Sequence, residues 1–367
     1  MAVYYFTLSI LAISGCFLTG NRKNSRNTAL YLCAAFLLLT LVSSCRYAIG
    51  FDYFSYRNIY EMVSQWSFSD ILHIYGGEPF YFILCKLFTM AGFTYQLFLL
   101  AVNMFLIYVA MRFIYRYSKL PWVSACLYVM LQFLAFNMNL IRQSIAAAFF
   151  LLAYPYLKEQ KPLPFAALLL TGGLFHNSLF FVFPLYFLLP KKLGKKALLS
   201  LCALTITVYL FFEPLFPLVR PFLPARYSAY QGSYFWQANG FLYVLFPALY
   251  CLLVLLFHNR ITDPFLRSLS MNSALCHCII SLFITRHFIL ERFAVYPFAF
   301  SLIAIPEIIC SFPGEKRHGR KPFLTYRRVL LLFLLLGCAY FAFAVLTGSH
   351  RVYPYIGLWD KSVSLPD

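Results

Sequence analysis

The sequence predicts an all-α polytopic membrane protein, a single membrane domain over residues 1–367, and three observations predict it. Only 11% of the 367 residues are charged while 62% are hydrophobic, against roughly 25% and 45–50% in soluble domains. The mean hydropathy is +0.74, and the apolar residues fall in runs of about 17–25, the length that crosses a hydrocarbon core of roughly 30 Å. The basic residues gather between alternate runs, as cytoplasmic loops do. The net charge of +18 therefore describes topology, and no basic tail or domain points to nucleic acid.

Twelve spans are expected, at about 2–20, 28–46, 94–115, 120–137, 141–157, 163–178, 179–190, 197–219, 240–257, 268–284, 288–310 and 329–347. The first run has no basic residue ahead of it and is followed by Asn21-Arg22-Lys23-Asn24-Ser25-Arg26. A cleaved signal carries its charge in front, so this run reads as a retained helix with its N-terminus outside. Alternation then places Arg22, Lys23, Arg26, Arg112, Arg116, Lys119, Lys158, Lys161, Lys191, Lys192, Lys195, Lys196, Arg260, Arg267, Lys316, Arg317, Arg320, Lys321, Arg327 and Arg328 inside. These are 20 of the 30 basic residues, the expected bias.

The segment from Glu78 to Phe93 breaks the pattern. It is apolar but short, carries Lys86 in its middle, and inverts the charge bias if counted as a span. It is expected to be a re-entrant or outer-face helix, tolerated where it lines a protein cavity; a full thirteenth span is the alternative. The external segments are then about 47–93 and 220–239, with an external C-terminal tail over 348–367.

The eleven cysteines lie almost all inside apolar runs, so no disulfide framework is expected. In Cys276-His277-Cys278 the two thiols diverge on a helix, which argues against zinc. These residues give no expectation of a metal site.

Charged residues at membrane depth are costly and mark function. A set of them collects at the expected outer ends: Arg46, Asp52, Glu78, Arg142, His176, Glu213, Arg286, Glu291 and Arg292. Each alone has an ordinary explanation, such as an arginine snorkelling to headgroups or an aspartate capping a helix. Together they differ from the plain Lys/Arg loops of the other face. A guanidinium at Arg142, followed by the small residues of Gln143-Ser144-Ile145-Ala146-Ala147-Ala148, presents fixed donors suited to phosphate. His176 titrates near neutrality, or is a packing histidine on a neighbouring carbonyl. The loop Tyr227 to Gln237, with Tyr230 and Trp236, is rich in aromatic and amide groups that suit sugar rings, or an interfacial belt.

Five pieces, in order, resemble the EpsG family of Wzy-like polysaccharide polymerases, integral membrane glycosyltransferases: Gly50-Phe51-Asp52-Tyr53-Phe54-Ser55-Tyr56 with Tyr60, Glu78-Pro79-Phe80, Ile141-Arg142-Gln143-Ser144-Ile145-Ala146, Phe175-His176-Asn177-Ser178, and Glu291-Arg292-Phe293 with Tyr296. The resemblance implies a helical framework of the C type of membrane glycosyltransferases. It implies that undecaprenyl-diphosphate-linked oligosaccharide repeat units are joined on the outer face of the bacterial plasma membrane into capsule, exopolysaccharide or O-antigen. It also implies a flippase and a chain-length regulator as partners, with the lipid-linked oligosaccharide and membrane lipid. On that reading Arg142 and Arg292, with Arg46 or Arg286, hold the diphosphate. His176 or Asp52 is the base or orients the acceptor, Glu78 partners an arginine or accepts a sugar hydroxyl, and Tyr53, Tyr56, Tyr230 and Trp236 meet the sugars. The resemblance also implies that no metal and no cofactor takes part. A repeat-unit transporter or flippase, and a membrane acyltransferase decorating the glycan, are the competing readings.

Overall fold

The computed structural model describes residues 2–19, 25–74, 77–219, 237, 240–314 and 324–360. Among them every regular element is helical; the only extended pairing is an isolated antiparallel bridge between Arg46 and Gly357. The chain divides into two compact units, one of residues 1–183 and 302–367, the other of residues 184–301.

The first unit opens with α1 (Ala2–Thr19), α2 (Ser25–Ser44), α3 (Tyr53–Val63), α4 (Phe68–Ile74), α5 (Pro79–Met90), α6 (Tyr95–Tyr117), α7 (Pro121–Met130), α8 (Phe133–Asn139), α9 (Ile141–Lys158) and α10 (Pro162–Gly173). The second unit holds α11 (Leu185–Leu188), α12 (Lys195–Leu210), α13 (Phe212–Val219), α14 (Leu242–Phe257), α15 (Pro264–Ile284) and α16 (Glu291–Phe298). With α17 (Ser301–Cys310) the chain re-enters the first unit, which closes with α18 (Tyr326–Leu346).

Six of these helices are long and apolar enough to cross a membrane, and two pairs bent by 49° and 47° raise the number to eight if each pair is one span. This is a membrane protein, but helix length does not reach the expected twelve. The apolar runs contain breakers that composition alone averages away. The run at 120–137 is bent after Leu131, where Gln132 takes a left-handed backbone with φ +69. The run at 179–190 is a 3₁₀ stretch, Asn177–Val182, and then the four residues of α11 behind Pro184. The run at 288–310 is bent between α16 and α17, each with an internal proline.

Within the first unit α3 explains itself from its sequence. Tyr53, Tyr56, Tyr60 and Val63 recur at helical spacing and are buried, while Arg57 and Glu61, one turn apart, pair on the other face at 2.8 Å. The buried face joins Tyr81, Phe82, Tyr95 and Phe98 in an aromatic core. These rings meet mostly edge to face with centroids 5.1 to 6.2 Å apart, the geometry their quadrupoles favour.

Both ends of α5 are tied to other segments of this unit. Beyond its C-terminus, Phe93 accepts a hydrogen bond from the Tyr60 hydroxyl at 2.6 Å. At its N-terminus, the Phe80 N–H donates to Leu174 O at 3.2 Å. The α6 start is tied to the end of α2, because the Gln96 amide donates to the carbonyls of Ser44 and Arg46. Twelve residues span about 18 Å at 1.5 Å per residue, short of the core thickness. Lys86, odd in an apolar run, places its ammonium on Ser64 O at 3.0 Å in the turn after α3.

Candidate functional site

The site is built around Glu78. This residue stands at the N-cap of α5, with Pro79 as the first helical residue, yet its carboxylate makes no cap bond to its own helix. It turns instead to two other segments. Oε2 accepts from Arg142 Nη1 at 3.0 Å. Oε1 meets His176 Nδ1 at 3.0 Å and accepts the Asn177 backbone N–H at 3.0 Å. Three donors from the α9 start and the α10 end thus converge on one carboxylate that is 8% exposed.

Local sequence sets each partner. Arg142 falls in the first turn of α9 because the chain breaks at Leu140, φ −104 and ψ 65, between α8 and α9. Its guanidinium lies 5.6, 5.6 and 5.8 Å from the ring centroids of Tyr56, Tyr81 and Phe82. Those faces are attractive to a cation and leave it 29% exposed. His176 reaches Glu78 because α10 ends on Gly172-Gly173. A Cβ at Gly172 would stand 2.6 Å from Leu179 and 2.7 Å from Phe149, and one at Gly173 would stand 2.2 Å from Phe180. No larger residue lets the chain turn back so tightly there.

Burial opposes the charge on Glu78, but His176, Arg142 and the Asn177 N–H outweigh it and hold the carboxyl down to about 2. Glu78 is therefore a carboxylate at any physiological pH. With both oxygens occupied it is an organiser of the other groups and, of the two roles expected for it, it takes here that of the partner of an arginine.

Asp52 caps α3 without a side-chain cap bond, and its N–H donates to Asn139 Oδ1 at 3.2 Å. It lies within electrostatic reach of Tyr56, as does Arg142. Gly50, φ +103, permits this approach, since a Cβ there would stand 3.1 Å from Met138 O. Tyr53 and Tyr56 are 2% and 4% exposed; their rings are enclosed in the aromatic core, whereas stacking on a sugar needs an open face.

Arg46, expected at the diphosphate, has no exposed surface. Nη1 donates to Ser43 O, while Nε and Nη2 have no partner among the described residues. The phenols of Tyr95, Tyr53, Tyr4 and Tyr355 act electrostatically on it. Residues 351–358 bind the neighbouring chain: Gly50 N–H donates to Arg351 O, Tyr47 N–H to Ile356 O and Leu358 N–H to Cys45 O, each at 2.9 Å. Arg46 is enclosed at the end of α2, on a carbonyl of that helix, and does not face an open site.

In the second unit, Arg286 stacks on Tyr209 at 4.4 Å and donates to its carbonyl at 3.3 Å. His287 Nε2 stands 3.6 Å from Glu213. Glu291 and Arg292 open α16, half-buried. Tyr230 and Trp236 lie outside the described residues, as does residue 361 onward of the tail.

Sequence reading missed two features. The Asn177 N–H is a backbone donor and leaves no signal in side-chain type. Glu307, 4% exposed in α17, pairs with Lys119 at 2.5 Å; an acid inside an apolar run was the available signal.

A family model described as the EpsG family matches residues 29–356. No curated protein and no solved structure matches the chain.

Proposed function

The chain belongs to the EpsG family, and from that premise we propose that it is a Wzy-like polymerase of lipid-linked oligosaccharides. Its substrates are undecaprenyl-diphosphate-linked repeat units on the outer face of the bacterial plasma membrane. Its product is capsule, exopolysaccharide or O-antigen, and its topology is about twelve crossings of the C type, with α5 re-entrant. A flippase supplies the units and a chain-length regulator acts on the product. The observation that carries the reading is the Glu78 carboxylate shared by Arg142, His176 and the Asn177 N–H.

The reaction needs a base for the acceptor hydroxyl and positive charge for the departing diphosphate. A carboxylate on Nδ1 of His176 fixes that nitrogen as the N–H donor and leaves Nε2 as the basic one, so His176 rather than Asp52 is assigned the base. As the hydroxyl oxygen attacks the donor sugar's anomeric carbon, its proton passes to His176. The anomeric C–O bond to the diphosphate breaks, and the bond pair leaves with the carrier. The growing phosphate charge meets Arg142, whose remaining donors are partly exposed, and the first N–H groups of α9, where Leu140 offers no capping side chain. Such preorganised charge is worth several kcal/mol.

The test is glycan length in a deletion strain complemented with wild type, Arg142→Ala or His176→Ala. Glycans that stop at one repeat unit in the deletion strain, with neither variant restoring the ladder, support polymerase and site together. Repeat units trapped on the cytoplasmic leaflet would make the protein a transporter, and full-length polymer lacking an acyl group would make it a decorating enzyme.

A further inference from the structure

The Glu78 cluster leaves one polar atom unused. Asn177 is 7% exposed. Its backbone N–H is fixed on Glu78 Oε1 at 3.0 Å, yet its side-chain Oδ1 is buried and accepts no hydrogen bond from the described residues. Buried acceptors are nearly always satisfied, and an unmet one costs free energy that folding does not recover. The amide is next in the chain to His176, and both residues hang on the same carboxylate oxygen. A half-buried turn, Leu174 to His176, runs up to it from the end of α10.

Resting on the polymerase reading, we infer that Asn177 is the group that receives a sugar hydroxyl of the acceptor repeat unit. Its Oδ1 accepts a hydrogen bond from the acceptor, and Glu78 sets the place of both residues: His176 through its ring, Asn177 through its main chain. Glu78, with its oxygens filled, has no such bond to give. The ligand is a hydroxyl donor on an oligosaccharide, and the interaction contributes to binding and aim; no covalent bond changes at Asn177.

A structural asparagine and a substrate-binding one respond oppositely to removal. Replacing an unmet buried acceptor by an apolar group of similar shape leaves stability unchanged or raises it, whereas deleting a packing amide lowers it. The experiment uses the full chain in lipid nanodiscs with the purified lipid-linked repeat unit as substrate, comparing wild type, Asn177→Leu, Asn177→Ala and Asn177→Asp. Expected are melting temperatures at or above wild type for Leu and Ala, with the KM for the repeat unit raised about ten-fold or more, the loss of one such bond. kcat should change less, and Asp, which keeps the acceptor, should restore KM to within a few-fold.

Wild-type KM in the Leu and Ala variants would overturn the inference, as would failure of both to accumulate in the membrane, which would make the amide structural. An Asp variant no better than Leu would also overturn it. Failure of the polymerase reading is distinguishable, because wild type itself would then form no polymer from the repeat unit.

Discussion

Arg142 and Arg46 begin as the same observation, a guanidinium beside an apolar run, and the fold gives them opposite surroundings. Arg142 has a carboxylate at 3.0 Å, three aromatic faces beneath it and 29% of its side-chain surface open. Arg46 has no open surface and no ion pair among the described residues, only phenols and a carbonyl. A paired and partly open cation is ready to share its charge with a ligand, because part of its surface stays open while Glu78 and Tyr56 hold it in place. An enclosed cation directs its charge at the protein's own main chain. The difference separates a residue that presents charge from one that is enclosed at the end of α2.

Truncating Arg142 should break this comparison most visibly. Arg142→Ala is expected to lower the polymerisation rate by about 10²- to 10³-fold, the range found when one preorganised charge donor is lost, with protein still present in the membrane. Arg142→Lys keeps the charge but not the planar fork that lies over Tyr56 and Tyr81, so it should recover only part of the rate. Steady-state rates on the lipid-linked repeat unit, scaled to membrane protein level, measure both. A near-wild-type Ala variant would remove Arg142 from the site.

Glu78→Gln comes next, because it withdraws the partner shared by the two segments. A buried carboxylate bonded to a guanidinium, an imidazole and an N–H is expected to contribute about 2–3 kcal/mol, seen as a lower melting temperature in detergent. The rate should fall at least ten-fold as Arg142 and His176 lose their common anchor. A variant that lost rate with an unchanged melting temperature would instead make Glu78 a substrate contact.

For Arg46 the expected change is small and its sign is informative. Arg46→Met fills similar space without a charge to desolvate, and such replacements are often neutral or stabilising. The melting temperature should hold or rise, with polymer length kept. Loss of polymer at an unchanged melting temperature would show that Arg46 reaches substrate through a movement of residues 351–358, and the contrast with Arg142 would collapse.

Much of this was legible in the sequence because apolar runs make any charge conspicuous. Glu78, Arg142 and His176 stood out singly, and the short segment behind Glu78 was set apart by its length and by Lys86. Which arginine gains a carboxylate was not legible, since that depends on where three distant segments end. Those ends are set by backbone events that composition averages out: the left-handed Gln132, the break at Leu140 and the tight turn at Gly172-Gly173. Breaks of this kind also interrupt the apolar runs, and among the described residues six helices, or eight if each bent pair is one span, are long and apolar enough to cross a membrane. That the Tyr53 and Tyr56 rings are enclosed was not legible either, because residue type alone does not distinguish a surface ring from a core ring.

The smallest expected effect is the dependence on pH between 5 and 8, and it decides which group is the base. Glu78 has its carboxyl lowered from 4.5 to about 2. A carboxyl depressed in the folded state contributes its full stability above 4.5, and loses it as pH falls from there through about 2. Glu78 therefore stays ionised throughout pH 5–8, and its own protonation supplies no slope there. An acid limb of polymerisation in that window belongs to an imidazole, the side chain whose ordinary titration falls there. Glu78→Gln tests the assignment, because the carboxylate favours the charged imidazole of His176. Without it, at the reduced rate, the limb should move to lower pH. A limb that disappeared in Glu78→Gln would belong to Glu78 itself, and one that stayed in place would belong to a group the carboxylate does not touch.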